Sequence, residues 1–274
     1  MKIKQSTFPI FKASIVGLLG AVILFMSTPV MAQFAYFPHE GTVTYEKTVH
    51  VKNLLRRHMN NLGDNNVFQV RYYEDMLSRA PETAVLKKKL SFRGNEVTFE
   101  SVKETHPQLI NNLLMSGLLD YQGTVYQNLD KNISRSVFEM GGSSIFIEDK
   151  LLDVKWKLTN EYRQIAGYDC RRANGLTLDS VYVVAFFTDQ IPTSAGPGTL
   201  HGLPGLILGL AVPEQHYNIY ATKVEYTPPV IKSDIAGRRD KAQTREELIS
   251  QLTSTLGQYM SLQQRNLLFA AMLL

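Results

Sequence analysis

The chain has 274 residues, 44% of them hydrophobic and 20% charged, with 29 basic against 25 acidic side chains and one cysteine, Cys170. These values exclude an intramolecular disulfide scaffold, and no basic stripe interleaved with aromatic residues points to nucleic acid. The length suffices for one large hydrophobic core, and a single domain is expected.

Residues Met1 to Ala32 have the order of a cleavable export signal. Lys2, Lys4 and Lys12 precede an apolar run from Ile15 to Met26, then Pro29 and the small-residue site Val30-Met31-Ala32 before Gln33. As a helix this run spans about 18 Å, short of a hydrocarbon core of about 30 Å. The expected mature protein is therefore residues 33–274, periplasmic or otherwise exported, with no transmembrane anchor after cleavage and no cysteine to carry a lipid. Its charge is near neutral, because the signal takes three of the 29 basic residues and none of the 25 acidic ones. Lys87-Lys88-Lys89 and Arg238-Arg239 read as solvated faces, and Cys170 reads as a buried, inert thiol.

From Gly41 to Val51 the chain alternates, with Val43, Tyr45, Val49 and Val51 on one side and Thr42, Thr44, Glu46, Thr48 and His50 on the other. That period of two predicts a half-buried strand. A polar stretch from Lys52 to Asn66 follows, then a short helix over Phe68 to Arg79 that Pro81 ends. Strands over Thr83 to Phe92 and Glu96 to Val102 flank Arg93-Gly94-Asn95, which suits a hairpin with a three-residue turn. Residues Pro107 to Leu119 fit either a helix or a loosely packed apolar loop.

After Gly123 strand signals succeed one another at Thr124–Leu129, Ile133–Met140, Ser144–Leu152, Val154–Glu161, Asp169–Leu178, Val181–Thr188, Leu203–Val212 and Tyr217–Tyr226. Gly141-Gly142, Gly167 and Asp179-Ser180 mark the turns between them, and such short connections imply antiparallel neighbours. Pro228-Pro229 ends the series. From Thr244 the period changes. A capping box, Thr244-Arg245-Glu246-Glu247, opens an amphipathic helix over about 244–264 whose Leu248, Ile249, Leu252, Leu256, Tyr259 and Met260 pack on the sheet. The expected fold is mainly β (α+β): a large curved antiparallel sheet, half-barrel-like, with a C-terminal helix.

The loop before the penultimate strand holds Asp189, Pro192, Gly196, Pro197, His201, Gly202, Leu203, Pro204, Gly205, Leu206 and Ile207. Pro204-Gly205 fits the two central positions of a type II turn. Physically the loop is either a structural corner of the sheet, with glycines set by backbone geometry, or the rim of an apolar groove. Trp156, Gly167-Tyr168, Cys170, the run Phe186–Pro192, Gly196-Pro197 and the complete hexapeptide Gly202–Ile207 together resemble the GLPGLI family of exported Bacteroidetes proteins. The likeness covers about 70 residues around the hexapeptide, with Phe186, Gln190 and Gly209 departing from the usual tryptophan, glutamate and acidic residue. The resemblance implies an exported location and a strand-rich architecture similar to the half-barrels of periplasmic lipoprotein carriers. It implies no activity, because the family has none established.

No His-Glu-x-x-His, paired cysteine or His-x-His supports a metal site, and Gly196-Pro197-Gly198-Thr199 lacks the lysine of a phosphate loop. Ser194, His201 and Asp189 lie too close together in one loop for the usual triad arrangement. No cofactor and no catalytic constellation is expected. The expected partner is an apolar ligand, a chain or a hydrophobic peptide, held by a noncatalytic carrier; the alternative is an envelope accessory protein that acts through contacts with an outer-membrane receptor or transporter.

Overall fold

The computed structural model describes residues 38–61, 67–140, 143–178, 181–237, 241–256 and 261–274. The expected export signal, the turns Gly141-Gly142 and Asp179-Ser180, the pair Arg238-Arg239, and Tyr259 and Met260 lie outside these residues. In chain order, β1 (Glu40–Val49) leads into helices α1 (Val51–Asn60) and α2 (Val67–Arg79). The hairpin β2 (Ala84–Arg93) and β3 (Glu96–Ser101) precedes α3 (Gln108–Met115). Then come β4 (Gly123–Asn128), β5 (Ile133–Met140), β6 (Ser143–Asp149), β7 (Val154–Ile165), β8 (Tyr168–Thr177) and β9 (Val181–Thr188). Strands β10 (Leu206–Val212), β11 (Tyr217–Glu225) and β12 (Ala242–Gln243) are followed by α4 (Arg245–Leu256) and α5 (Leu262–Leu273).

Among the described residues, twelve strands form one open sheet in the order β12-β6-β5-β4-β3-β2-β1-β11-β10-β9-β8-β7. Two meanders, β1 to β6 and β7 to β11, meet where β1 pairs antiparallel with β11. Every pairing is antiparallel except the two-residue edge strand β12, which runs parallel to β6 and makes the sheet mixed. The alternation read in β1 holds: Val43, Tyr45 and Val49 are buried while their neighbours are half-exposed. The hairpin turn is shorter than expected. Arg93 pairs with Glu96, leaving Gly94-Asn95 as a two-residue turn in which Gly94 takes the positive φ of 55°. Strand β7 runs on to Ile165, past a register shift between Leu158 and Tyr162.

The packed face of the sheet is filled by helices and by the loop joining β9 to β10. This loop reaches as far as β4, where Gln127 Nε2 donates to the Thr199 carbonyl at 3.0 Å, and near the β2–β3 turn Thr193 Oγ1 donates to the Gly94 carbonyl at 3.4 Å. In strand order it thus reaches from β10 past β11, β1, β2 and β3 to β4. On the opposite face the β7–β8 tip folds over β9 and β11. Arg163 Nη1 donates to the Tyr220 hydroxyl at 3.0 Å, and its guanidinium lies 4.7 Å from the centre of the Phe186 ring.

The stretch after β1 read as polar is the helix α1, which buries Val51, Leu54 and Leu55. Three apolar positions in a polar run make one contact stripe and too short a period to be seen without the sheet they pack on. Residues Pro107 to Leu119 resolve as the helix α3, which buries Ile110 and Leu113. The C-terminal helix is two helices. α4 has the capping box expected for it, with Thr244 N–H donating to Glu247 Oε2 at 2.7 Å and Glu247 N–H to Thr244 Oγ1 at 3.1 Å. Of its expected apolar positions Leu248 is buried, whereas Ile249 is exposed. α4 packs on the sheet through Leu248, which joins Phe138 and Ile147, and α5, opened by a second capping box between Ser261 and Gln264, packs beside it. Ala270 of α5, with the following Leu274, joins the main core, and Phe269, Met272 and Leu273 pack with Phe138, Ile147 and Leu248. No helix among the described residues is long and apolar enough to cross a membrane.

Candidate functional site

The loop singled out from the sequence is packed by its own backbone. Leu206 N–H donates to the Ile191 carbonyl at 3.0 Å and Ile207 N–H to the Ala195 carbonyl at 2.9 Å, folding residues 191–207 into a closed turn system. Pro204-Gly205 does not form the expected type II turn. The Leu203 carbonyl accepts from Gly205 N–H at 2.8 Å, a three-residue closure, while Leu206 N–H is taken by Ile191. Gly205 lies at φ 145°, and a Cβ there would stand 2.0 Å from the Thr188 carbonyl oxygen. Gly196 and Pro197 are buried, as are Leu203, Gly205, Leu206 and Ile207, whereas Asp189, Pro192, Gly202 and Pro204 are exposed. Tyr45 at the centre of β1 donates to the Ile207 carbonyl at 2.7 Å, tying the hexapeptide to the sheet.

Two polar members of the loop, His201 and Ser194, are engaged structurally. His201 is half-buried, with Nε2 2.8 Å from the Leu152 carbonyl, and its own carbonyl accepts from Trp156 Nε1 at 2.8 Å. Burial pushes its imidazole below the ordinary range, with the Leu152 hydrogen bond opposing. Ser194 Oγ accepts from Gly202 N–H at 3.0 Å. Gly202 to Ile207 contribute no lining residue to the two cavities described next.

A family model described as "Protein of unknown function (Porph_ging)" matches residues 176–209. That window runs from the end of β8 through β9 and the loop into β10, and contains the fully buried Ile191, Leu200, Leu206, Ile207 and Leu208. Similar solved structures include PNGF-II in space groups C2 and P21, at 14% and 13% identity and a TM-score of 0.48 for each. They cover 76% and 78% of this chain, which spans only 31% and 33% of theirs. No curated protein sequence matches the chain.

The ionisable cluster on the packed face lies elsewhere, over β1, β2 and β11. Lys47, Lys88 and Asp120 are 4%, 4% and 6% exposed. Lys47 Nζ donates to Asp120 Oδ1 at 2.7 Å; Lys88 Nζ donates to Asp120 Oδ2 and, at 2.7 Å, to Ser101 Oγ. Lys47 Nζ also sits 3.8 Å from the centre of the Tyr217 ring, a cation–π contact. Burial pulls the Lys47 ammonium down against the opposing charge of Asp120. Burial pushes the Asp120 carboxyl up, but the two lysines outweigh it and hold it below its usual value. Burial, reinforced by the Asp120 charge, raises the Tyr217 hydroxyl, so it remains a protonated donor.

This cluster forms the floor of a cavity of about 350 Å³, roofed by α1, the loop after α3, and α5. Its apolar walls include Leu54, Leu118, Leu119, Leu267, Leu268 and Ala271. A smaller cavity of about 40 Å³ shares Lys47 and Asp120 and runs under the end of α5 toward Gly198. At the rim, His58 stacks on Tyr73 with ring centres 6.3 Å apart. Burial, and then the charge of Arg57, push its imidazole down to about 4 from 6.5. The folded protein therefore keeps His58 neutral where the unfolded chain takes up a proton. Its contribution to stability is whole above pH 6.5 and is lost as the pH falls toward 4. In an NMR titration the His58 ring signals should hold their neutral position down to about pH 5; a midpoint near 6.5 would contradict the burial.

Lys88 overturns the reading of Lys87-Lys88-Lys89 as a solvated face. Lys87 is exposed and Lys89 half-exposed, but Lys88 is in phase with Leu86 and Leu90 and is buried with them. Lys47 is likewise in phase with Val43, Tyr45 and Val49. A charge on the apolar side of an alternating strand is the signal that was available for both, whereas nothing local marks Asp120. Cys170 is buried, and burial pushes its thiol up to about 12. It should resist Ellman's reagent at pH 8 in the native protein and react fully in denaturant; rapid native labelling would refute the packing around it.

Proposed function

We propose that the protein is an exported, noncatalytic binding or carrier protein of the periplasm, of the GLPGLI type, whose cavity takes an apolar chain. The observation that carries this reading is the cavity of about 350 Å³ between the sheet and α5, walled by leucines and closed at its floor by buried polar groups. Its size falls within the range of about 300–1,000 Å³ common to small-molecule sites, and its leucines stand beside polar lining residues that include Lys47, Arg57, Asp120, Gln215 and Gln264. The loop from Asp189 to Ile207 acts as the structural corner in this reading: it supports the floor through Tyr45 and the roof through Thr199, which donates both N–H and Oγ1 to the Leu273 carbonyl at 3.2 and 2.7 Å.

The test is to export the full chain, purify it without detergent, and analyse the organic extract by mass spectrometry. A stoichiometric apolar compound is expected, together with an Ala271→Trp variant that folds but copurifies with much less of it. Protein that is free of ligand and does not take up N-phenyl-1-naphthylamine would defeat the carrier reading. N-terminal sequencing of the same material should start near Gln33.

A second reading, contact with an envelope protein, is favoured by the outer face of α2, where Val67, Phe68 and Tyr72 are 70%, 92% and 61% exposed. A photocrosslinker placed at residue 68 in cells should then capture one dominant protein, while labelling of solvent alone would leave that face without a partner.

A further inference from the structure

We propose that the occupant of the cavity is an amphiphile with a carboxylate head, and that Lys47 and Tyr217 receive that head at the cavity floor. The inference rests on the cavity-binding reading above and specifies its ligand. It starts from charge. Lys47, Lys88 and Asp120, ionised, sum to one positive charge in a place from which water is largely excluded. A buried charge without compensation is costly, and one monovalent anion cancels this one.

The hydrogen-bond inventory places the anion. An ammonium offers three donors. Lys88 uses two on Ser101 and Asp120, whereas among the described residues Lys47 donates to one oxygen, Asp120 Oδ1. The Tyr217 hydroxyl is buried and has no hydrogen-bond partner among the described residues. Both side chains line the larger cavity, Lys47 lying over the Tyr217 ring. Two donors from adjacent groups match the two oxygens of a carboxylate, and the leucine walls of Leu54, Leu118, Leu267 and Leu268 take the chain behind it. Asp120 is the one acidic residue among those lining this cavity, and both of its oxygens are engaged by the lysines.

The experiment compares matched head groups on one chain. Delipidated full-length mature protein is titrated with hexadecanoate, hexadecanol and hexadecyltrimethylammonium by displacement of N-phenyl-1-naphthylamine, below the critical micelle concentrations. Hexadecanoate should bind at least tenfold more tightly than hexadecanol, and the cation more weakly still. In Tyr217→Phe and in Lys47→Met, each checked for an unchanged circular dichroism spectrum, hexadecanoate affinity should fall tenfold or more toward that of hexadecanol, whose own affinity stays within threefold of wild type. Equal binding of hexadecanoate and hexadecanol, or variants that keep the preference, would overturn the carboxylate head while leaving the cavity as a binding site. Binding of neither compound, nor of the probe, would overturn both.

Discussion

Replacing Asp120 by alanine should lower the unfolding free energy by about 3–5 kcal/mol, the cost of stripping the partner from buried charges. Its carboxylate is the acceptor for two ammonium groups on adjacent strands, Lys47 on β1 and Lys88 on β2, and all three are within a few per cent of full burial. Without it two like charges face each other in a medium that solvates neither. The charge count also predicts an order. Lys47→Met leaves Lys88 and Asp120 as a balanced pair and should cost clearly less than Asp120→Ala. The combined Lys47→Met, Lys88→Met, Asp120→Leu variant should be near neutral or more stable, since packed apolar groups commonly replace a buried ion cluster without loss. Urea unfolding at pH 7 followed by circular dichroism measures all three. An Asp120→Ala variant no less stable than Lys47→Met would show that the cluster is hydrated and not buried as described. If Lys47 can be removed at little cost to folding, the fold does not require its buried charge, which is the outcome expected of the proposed binding role.

Gly205→Ala should be destabilising by about 4 kcal/mol or more, enough to prevent accumulation of folded protein in a domain of ordinary stability. The added Cβ would stand 2.0 Å from the Thr188 carbonyl oxygen, 2.7 Å from its carbon and 2.9 Å from Asp189 Cα, all of them backbone at the end of β9. No side chain can rotate away to make room. The positive φ adds a second penalty. Gly94 separates the two effects, since it also has positive φ, 55°, but no atom within 4 Å of the place a methyl group would take. Gly94→Ala should therefore cost only about 1–2 kcal/mol. Equal melting temperatures for the two variants would refute the close approach of the loop to β9. The hexapeptide pattern thus has a packing cause at this position: the chain must pass against Thr188 to let Ile207 N–H reach Ala195 and its carbonyl reach Tyr45.

Strand content was legible because alternation is a local property. Burial of every second residue in β1, and turn residues between short strands, mark a half-buried antiparallel sheet without reference to any distant segment. The capping box at Thr244 was legible for the same reason, since its two hydrogen bonds close within four residues. What the alternation did not reveal was which polar residues share the apolar side. Lys47 and Lys88 are in phase with their buried neighbours, yet a lysine at such a position can equally extend its head to water at a sheet edge.

Their burial was decided by groups remote in the chain. Asp120 comes from a loop 73 residues beyond Lys47, Tyr217 from β11 on the other flank of β1, and α5 from the end of the chain closes the space above them. The addition of α5 beside α4 was tertiary for the same reason: periodicity selects α4 as a helix that can bury a face, but only the fold brings Phe269 and Met272 of α5 to the cluster of Phe138, Ile147 and Leu248. By itself the sequence determined that this protein would be a sheet of short antiparallel strands, because period-two burial is enforced residue by residue. Only the tertiary structure decided that a charged cluster would form the floor of a cavity on the sheet, because burying an ammonium needs a carboxylate brought to it from elsewhere in the fold.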